Sequence, residues 1–108
     1  MTQPATTPTP PYYAVIFTSV ASDNSEEYAE TAEKMVALAQ QQPGYLGIES
    51  AREALGITVS YWQDLESIRA WKAQADHQMA QKLGRDRWYS SYTTRIAKVE
   101  REYSYTTR

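Results

Sequence analysis

Hydrophobic and polar positions divide the chain into six periodic stretches separated by short breaks. Residues 12–20 (YYAVIFTSV) are apolar on both parities, with Tyr13, Val15 and Phe17 on one and Ala14 and Ile16 on the other. A β-branched and aromatic run of this kind, bounded by prolines and by SDNS, predicts a strand covered on both faces, in the middle of a sheet or at an interface. Residues 25–42 change to a helical period. Tyr28, Ala32, Met35 and Ala39 form one stripe with Val36 beside it, and Glu30, Glu33 and Lys34 lie largely outside it. Asp23, Asn24 and Ser25 supply N-caps, Glu26 and Glu27 suit the positive end of the helix dipole, and Pro43 with Gly44 ends the helix.

Residues 45–53 (YLGIESARE) predict a second strand, weakened by Gly47, and residues 54–56 a turn. Residues 57–62 (ITVSYW) predict a third strand, with Ile57, Val59 and Tyr61 on one face and Thr58, Ser60 and Trp62 on the other. The short connection makes the pair an antiparallel hairpin. Asp64 then caps a helix whose inward stripe begins Leu65, Ile68, Trp71. Asp76 predicts a second cap, and with it a break near residues 74–76, after which His77, Gln81, Gly84 and Trp88 lie along one side. Residues 91–103 predict a long last strand. It carries Arg95, Ala97, Val99, Arg101 and Tyr103 on one face and Tyr92, Thr94, Ile96, Lys98 and Glu100 on the other. The pentapeptide SYTTR stands at both 91–95 and 104–108. Its odd offset would turn the two copies to opposite faces of one strand, so it reads as an echo in the tail and not as a repeat.

The order β-α-β-β-α-β predicts an α+β domain of the ferredoxin-like arrangement, an antiparallel sheet with both helices on one face. The other face then presents Tyr, Ile and Val. A second copy packed sheet to sheet covers it, which predicts a two-fold homodimer closing into an α+β barrel. Residues 1–11 (MTQPATTPTPP) are Thr/Pro-rich and predict a disordered N-terminal arm. Residues 12–103 form the domain and 104–108 a C-terminal tail.

Composition narrows the chemistry. The 108 residues include no cysteine and one histidine. Thiolate catalysis, disulfides and a three-histidine metal site are therefore excluded, and no metal site is expected. A net charge of −2 gives no basic footprint for nucleic acid. No apolar run is long enough to span a bilayer and the arm lacks the layout of a secretory signal, so the expected location is the cytoplasm. Tyrosine and tryptophan, flat apolar bodies with one polar tip, suit a pocket for planar ligands.

The run YWQDLESIRAWK, followed by His77, GRDRWYSSY and RIAKVEREY, with PGYLGIES before it, resembles the antibiotic biosynthesis monooxygenase domain family over about residues 12–103. The resemblance implies the dimeric α+β barrel fold. It also implies a cofactor-independent monooxygenase that oxidises a flat, polycyclic phenol-like small molecule with O2, in antibiotic or secondary-metabolite biosynthesis. Some relatives instead degrade haem, which makes haem the alternative cofactor, with His77 as its axial ligand. A non-catalytic dimeric module that binds a small aromatic ligand is the third reading.

Under the first reading His77, the one side chain with an ordinary pKa near neutrality, is the base that deprotonates the substrate. Trp71, the haem-degrading relatives' tryptophan by position, joins it as a catalytic residue. Trp62 and Trp88 wall the pocket and Arg85 anchors an oxygen of the substrate. Each residue also has a structural role open to it: helix capping for His77, core packing for the tryptophans, exposed ion pairing with Asp86 for Arg85.

Overall fold

The computed structural model describes residues 3–22, 25–81 and 89–107. Six elements follow in the expected order: β1 (Tyr12–Ala21), α1 (Ser25–Gln40), β2 (Tyr45–Arg52), β3 (Gly56–Trp62), α2 (Leu65–Gln81) and β4 (Tyr89–Val99). The strands form one antiparallel sheet in the order β2-β3-β1-β4. This is the ferredoxin-like topology. β1, apolar on both parities, is hydrogen-bonded on both sides.

Pairing decides which side chains share a face. Arg52, Gly56, Ser19 and Tyr92 stand in one row across the four strands. Ser50, Thr58, Phe17 and Thr94 form the next, then Ile48, Ser60, Val15 and Ile96, then Tyr45, Trp62, Tyr13 and Lys98. The helices close over the last of these rows. Ala39 of α1, Trp62 of β3 and Ile68 of α2 are buried together, with Tyr13, Val15, Tyr45 and Trp71 packed around them. Trp62 is 0% exposed.

The turn between α1 and β2 holds the helices to this end of the sheet. Gly44 adopts φ +84°, a conformation that a Cβ disfavours. A Cβ there would also fall 2.0 Å from Ser67 Oγ. Gly44 O accepts the Gln63 amide at 2.8 Å, and one residue on Asp64 caps α2, accepting from the Ser67 amide at 2.8 Å and its hydroxyl at 2.7 Å. These bonds to the ionised form hold the Asp64 carboxyl below its ordinary pKa.

Two expectations are corrected. α2 runs unbroken through residues 74–76. Asp76 does not start a new helix but pairs with Lys72, one turn earlier, at 2.7 Å. β4 begins at Tyr89 and ends at Val99, shorter at its C-terminus than the pattern of residues 91–103 suggests. The Thr/Pro-rich arm meets the open face of the sheet through a few hydrogen bonds. Ala5 N donates to Glu49 Oε2 at 2.8 Å, and Thr7 Oγ1 lies 2.9 Å from the Tyr12 hydroxyl and 3.0 Å from Glu102 Oε2. The prolines that bar the arm from a ladder do not bar side-chain and amide bonds of this kind.

The Asp23 and Asn24 caps and the Tyr28 side chain lie outside the described residues. Of the remaining α1 stripe, Ala39 is buried and Ala32 and Met35 are half-buried.

Candidate active site

The helix-covered face has a different character at each end. At the core end the rings are close-packed: Tyr45 meets Trp62 edge-on at 5.7 Å, and Trp62 stacks on Trp71 at 6.0 Å. The indole of Trp62 donates to Ser60 Oγ at 2.8 Å, so its one polar atom is satisfied within the core.

At the hairpin end the floor is polar and the rings form a platform. Phe17 stacks on Tyr92 with centroids 5.3 Å apart and planes 29° apart, and Tyr89 closes edge-on against both. Beside Phe17 lie the hydroxyls of Thr58 and Ser50, 2.8 Å apart. In the outermost row Arg52 reaches across β3 to donate from Nη2 to Ser19 Oγ, and Ser19 is only 2% exposed. Gly56 makes this crossing possible, since a Cβ at that position would lie 2.2 Å from the guanidinium carbon. A flat apolar platform, a line of hydroxyls and a fixed cation therefore share one face.

On the open face a second polar cluster joins the arm to the sheet. The Tyr61 hydroxyl donates to Glu49 Oε1 and the Tyr12 hydroxyl to Glu102 Oε2 at 2.9 Å, around a cavity of about 270 Å³. Burial, the accepting Glu49 carboxylate and its charge push the Tyr61 phenol well up. Burial also raises Tyr12, reinforced by Glu102 and opposed by the Thr7 bond. These phenols are held neutral by structure on the face away from the helices.

Of the residues singled out in the sequence, the fold brings Trp62 and Trp71 together. It does not bring His77 to them. His77 follows Ile68 by nine residues on a continuous helix, which turns it roughly half a revolution from that buried side chain, and it is exposed. Arg85 and Trp88 lie outside the described residues. Sequence reasoning missed Arg52, Ser19 and the Phe17–Tyr92 stack. The available signal was parity: Arg52 alternates with Ile48 and Ser50, opposite the Thr58, Ser60, Trp62 face of the hairpin.

Residues 11–83 match the family model for antibiotic biosynthesis monooxygenase. The chain belongs to the antibiotic biosynthesis monooxygenase family. It is 57% identical over 98 residues to YqjZ of Bacillus subtilis (strain 168), an uncharacterized protein, across 89% of this chain and 86% of that one. Among solved structures it is similar to PA3566 of Pseudomonas aeruginosa, with a TM-score of 0.67 at 15% identity, covering 89% of this chain and 99% of that one. SnoaB, a cofactor-independent oxygenase from Streptomyces nogalater, aligns with a TM-score of 0.63 at 15% identity over 88% of this chain and 97% of its own. At such identities the structures establish the family's shared fold.

A haem group needs an axial ligand in the wall of its pocket. His77, the chain's one imidazole, is exposed on α2, half a revolution from the buried Ile68, so its placement does not fit an axial ligand in the wall of a haem pocket.

Proposed function

We propose that this protein is a cofactor-independent monooxygenase acting on a flat, polycyclic phenol-like small molecule, as a cytoplasmic homodimer. The observation that carries the reading is the hairpin end of the helix-covered face. There the Phe17–Tyr92 platform lies beside the Thr58 and Ser50 hydroxyls and the inward-turned Arg52. Family membership and the fold shared with SnoaB support it.

The chain's part in the reaction is to bind, orient and desolvate. The rings take the faces of a fused aromatic substrate, and the hydroxyls orient its oxygens. In a substrate whose reacting carbon is a CH2 between two rings, loss of a proton gives a delocalised carbanion. The carbanion passes one electron to O2, the radical pair joins to a peroxide at that carbon, and loss of water leaves a ketone. One O2 supplies the ketone oxygen and the oxygen of water, and the substrate supplies all four electrons and both hydrogens, so no outside reductant enters. Trp62 and Trp71 form the closed wall at the far end. The proton leaves to water at the hairpin end, where Ser50 and Thr94 are exposed.

The second copy belongs on the open face, where Val20 and Ile57 stand exposed beside Ile16 and Val59. Light scattering tests it, with twice 12.3 kDa expected.

An oxygen electrode with anthrone as substrate tests the reaction. Uptake of one O2 per anthraquinone formed, unchanged by chelators and without added flavin, is the expected result. Binding of the anthrone without uptake above the uncatalysed rate would leave a non-catalytic ligand-binding module instead.

A further inference from the structure

We infer that the open face of the sheet is an interface for which two occupants compete, the N-terminal arm of the same chain and a second copy. The arm is then a strap that must leave before two sheets close on each other. The inference rests on the homodimer proposed above and adds to it a control on assembly.

The arm crosses one end of the open face, from past the end of β4 to the edge strand β2. Near β4 the Thr7 hydroxyl donates to Glu102 Oε2 at 3.0 Å and lies 2.9 Å from the hydroxyl of Tyr12 on β1. Over β2, Ala5 N donates to Glu49 Oε2 at 2.8 Å. Gly47 leaves room for this approach, since a Cβ there would lie 3.0 Å from Ala5 Cβ. A cavity of about 270 Å³ lies between Pro4, Ala5 and Thr7 on one side and Tyr12, Glu49 and Tyr61 on the other. The strap is therefore held by a few bonds and not by close packing, and it can be displaced.

The face is covered where the strap crosses and bare where it does not. Tyr12 and Ala14, at the strapped end, are each 4% exposed, whereas Ile57 and Val20, at the other, are 42% and 37% exposed. Size decides between sharing and competition. A stable interface takes about 800 Å² from each partner. Four strands about 4.8 Å apart, with β1 ten residues long at about 3.4 Å each, give the whole face a projected area of roughly 600–700 Å². The bare end alone is too small, so a sheet-to-sheet dimer needs the end that the strap occupies. In a two-fold dimer both straps have to leave, and the strap equilibrium enters the dimer constant squared.

The chain has no cysteine, so one introduced pair can lock the strap. Ala5→Cys with Gly47→Cys sets two Cβ atoms close to the ~3.5–4.5 Å that a disulfide spans. Non-reducing electrophoresis and sedimentation equilibrium follow the full-length protein, oxidised and reduced. The cross-link should form within one chain, and the oxidised protein should stay monomeric at concentrations where the reduced protein is a dimer. Ala5→Pro with Thr7→Val acts in the opposite direction. It removes both donors of the arm and leaves the residues of the sheet as they are. Each bond is worth roughly fivefold in the strap equilibrium, so the dimer dissociation constant should fall at least about tenfold below that of wild type. An oxidised protein that dimerises as tightly as the reduced one, or a released variant whose constant is unchanged or raised, would overturn the competition and leave the dimer standing. A pair that does not oxidise, or that oxidises to a covalent dimer, would show that the arm does not rest on its own sheet and would overturn the strap. Monomers throughout, the released variant included, would overturn the sheet-to-sheet dimer, and this inference with it.

Discussion

Trp71 on α2 lies over Trp62 on β3 with ring centroids 6.0 Å apart and planes inclined by 21°. The pair joins the second helix to the sheet at the one large side chain, among the described residues, with no solvent exposure. Truncation of Trp62 removes the stack, the contact with Tyr45 and the bond to Ser60, and leaves a void that close-packed neighbours fill poorly. Trp62→Ala should cost about 3–5 kcal/mol, and Trp71→Phe, which keeps a ring on a half-buried site, should cost clearly less. Urea unfolding of both variants checks the ranking. A loss under ~1 kcal/mol for Trp62→Ala would contradict its place at the centre of the core.

Gly44 should be intolerant of a side chain for two separable reasons. Gly44→Ala meets the left-handed backbone penalty, about 1–2 kcal/mol, and drives a methyl into Ser67 Oγ. Ser67→Gly introduced beside it should recover the steric part and leave the backbone part. Unfolding midpoints of the two single variants and the double variant separate these contributions. Full recovery in the double variant would mean that the backbone at residue 44 relaxes freely.

Stability should fall in alkali before the tyrosines of the open face ionise. Tyr61 and Tyr12 both have phenol pKa values raised in the fold, chiefly by burial. In the unfolded chain they ionise near pH 10, so above that pH the folded state holds protons that the unfolded state has released. Their contribution is fully present below about pH 10 and drains away as pH rises toward the folded values. Denaturant midpoints across pH 8 to 11 should be flat and then decline, and Tyr61→Phe should decline less steeply. A slope in Tyr61→Phe equal to that of wild type would show that another group controls the alkaline limb.

Replacement of the histidine should matter little to the proposed reaction. His77→Ala is expected to keep O2 uptake within about twofold of wild type, because its imidazole lies on the side of α2 away from the sheet. A general base in the reaction would be worth ~10²–10⁴-fold. A loss in that range would bring the imidazole back into the chemistry through a contact that a second subunit completes.

The fold was legible because β1 and the hairpin carry unambiguous signals. Two-sided apolarity in YYAVIFTSV marked the central strand, and the alternation of Ile57, Val59 and Tyr61 against Thr58, Ser60 and Trp62 set the faces of the sheet correctly. The contact between Trp62 and Trp71 was legible because one ends a strand and the other lies on the inward stripe of the next helix. His77 was drawn inward by an expected break at Asp76, but an Asp four residues after a Lys stabilises a continuous helix as readily as it caps a new one. Here it pairs with Lys72. Arg52 was hidden because its placement depends on long-range pairing: only when β2 is registered on β3 and β3 on β1 do Arg52, Gly56 and Ser19 fall in one row.

That same register has a consequence for how the chain is made. β1, the first strand, is paired along its whole length with β4, the last, from Tyr12 opposite Val99 to Ala21 opposite Tyr89. On the ribosome one side of β1 can satisfy its backbone with β3 while synthesis continues, but the other side lacks its partner strand until β4 emerges. Contacts between the two ends of a chain are slow to close and leave an open strand edge meanwhile. The strand at the middle of the finished sheet is thus the edge of every nascent intermediate.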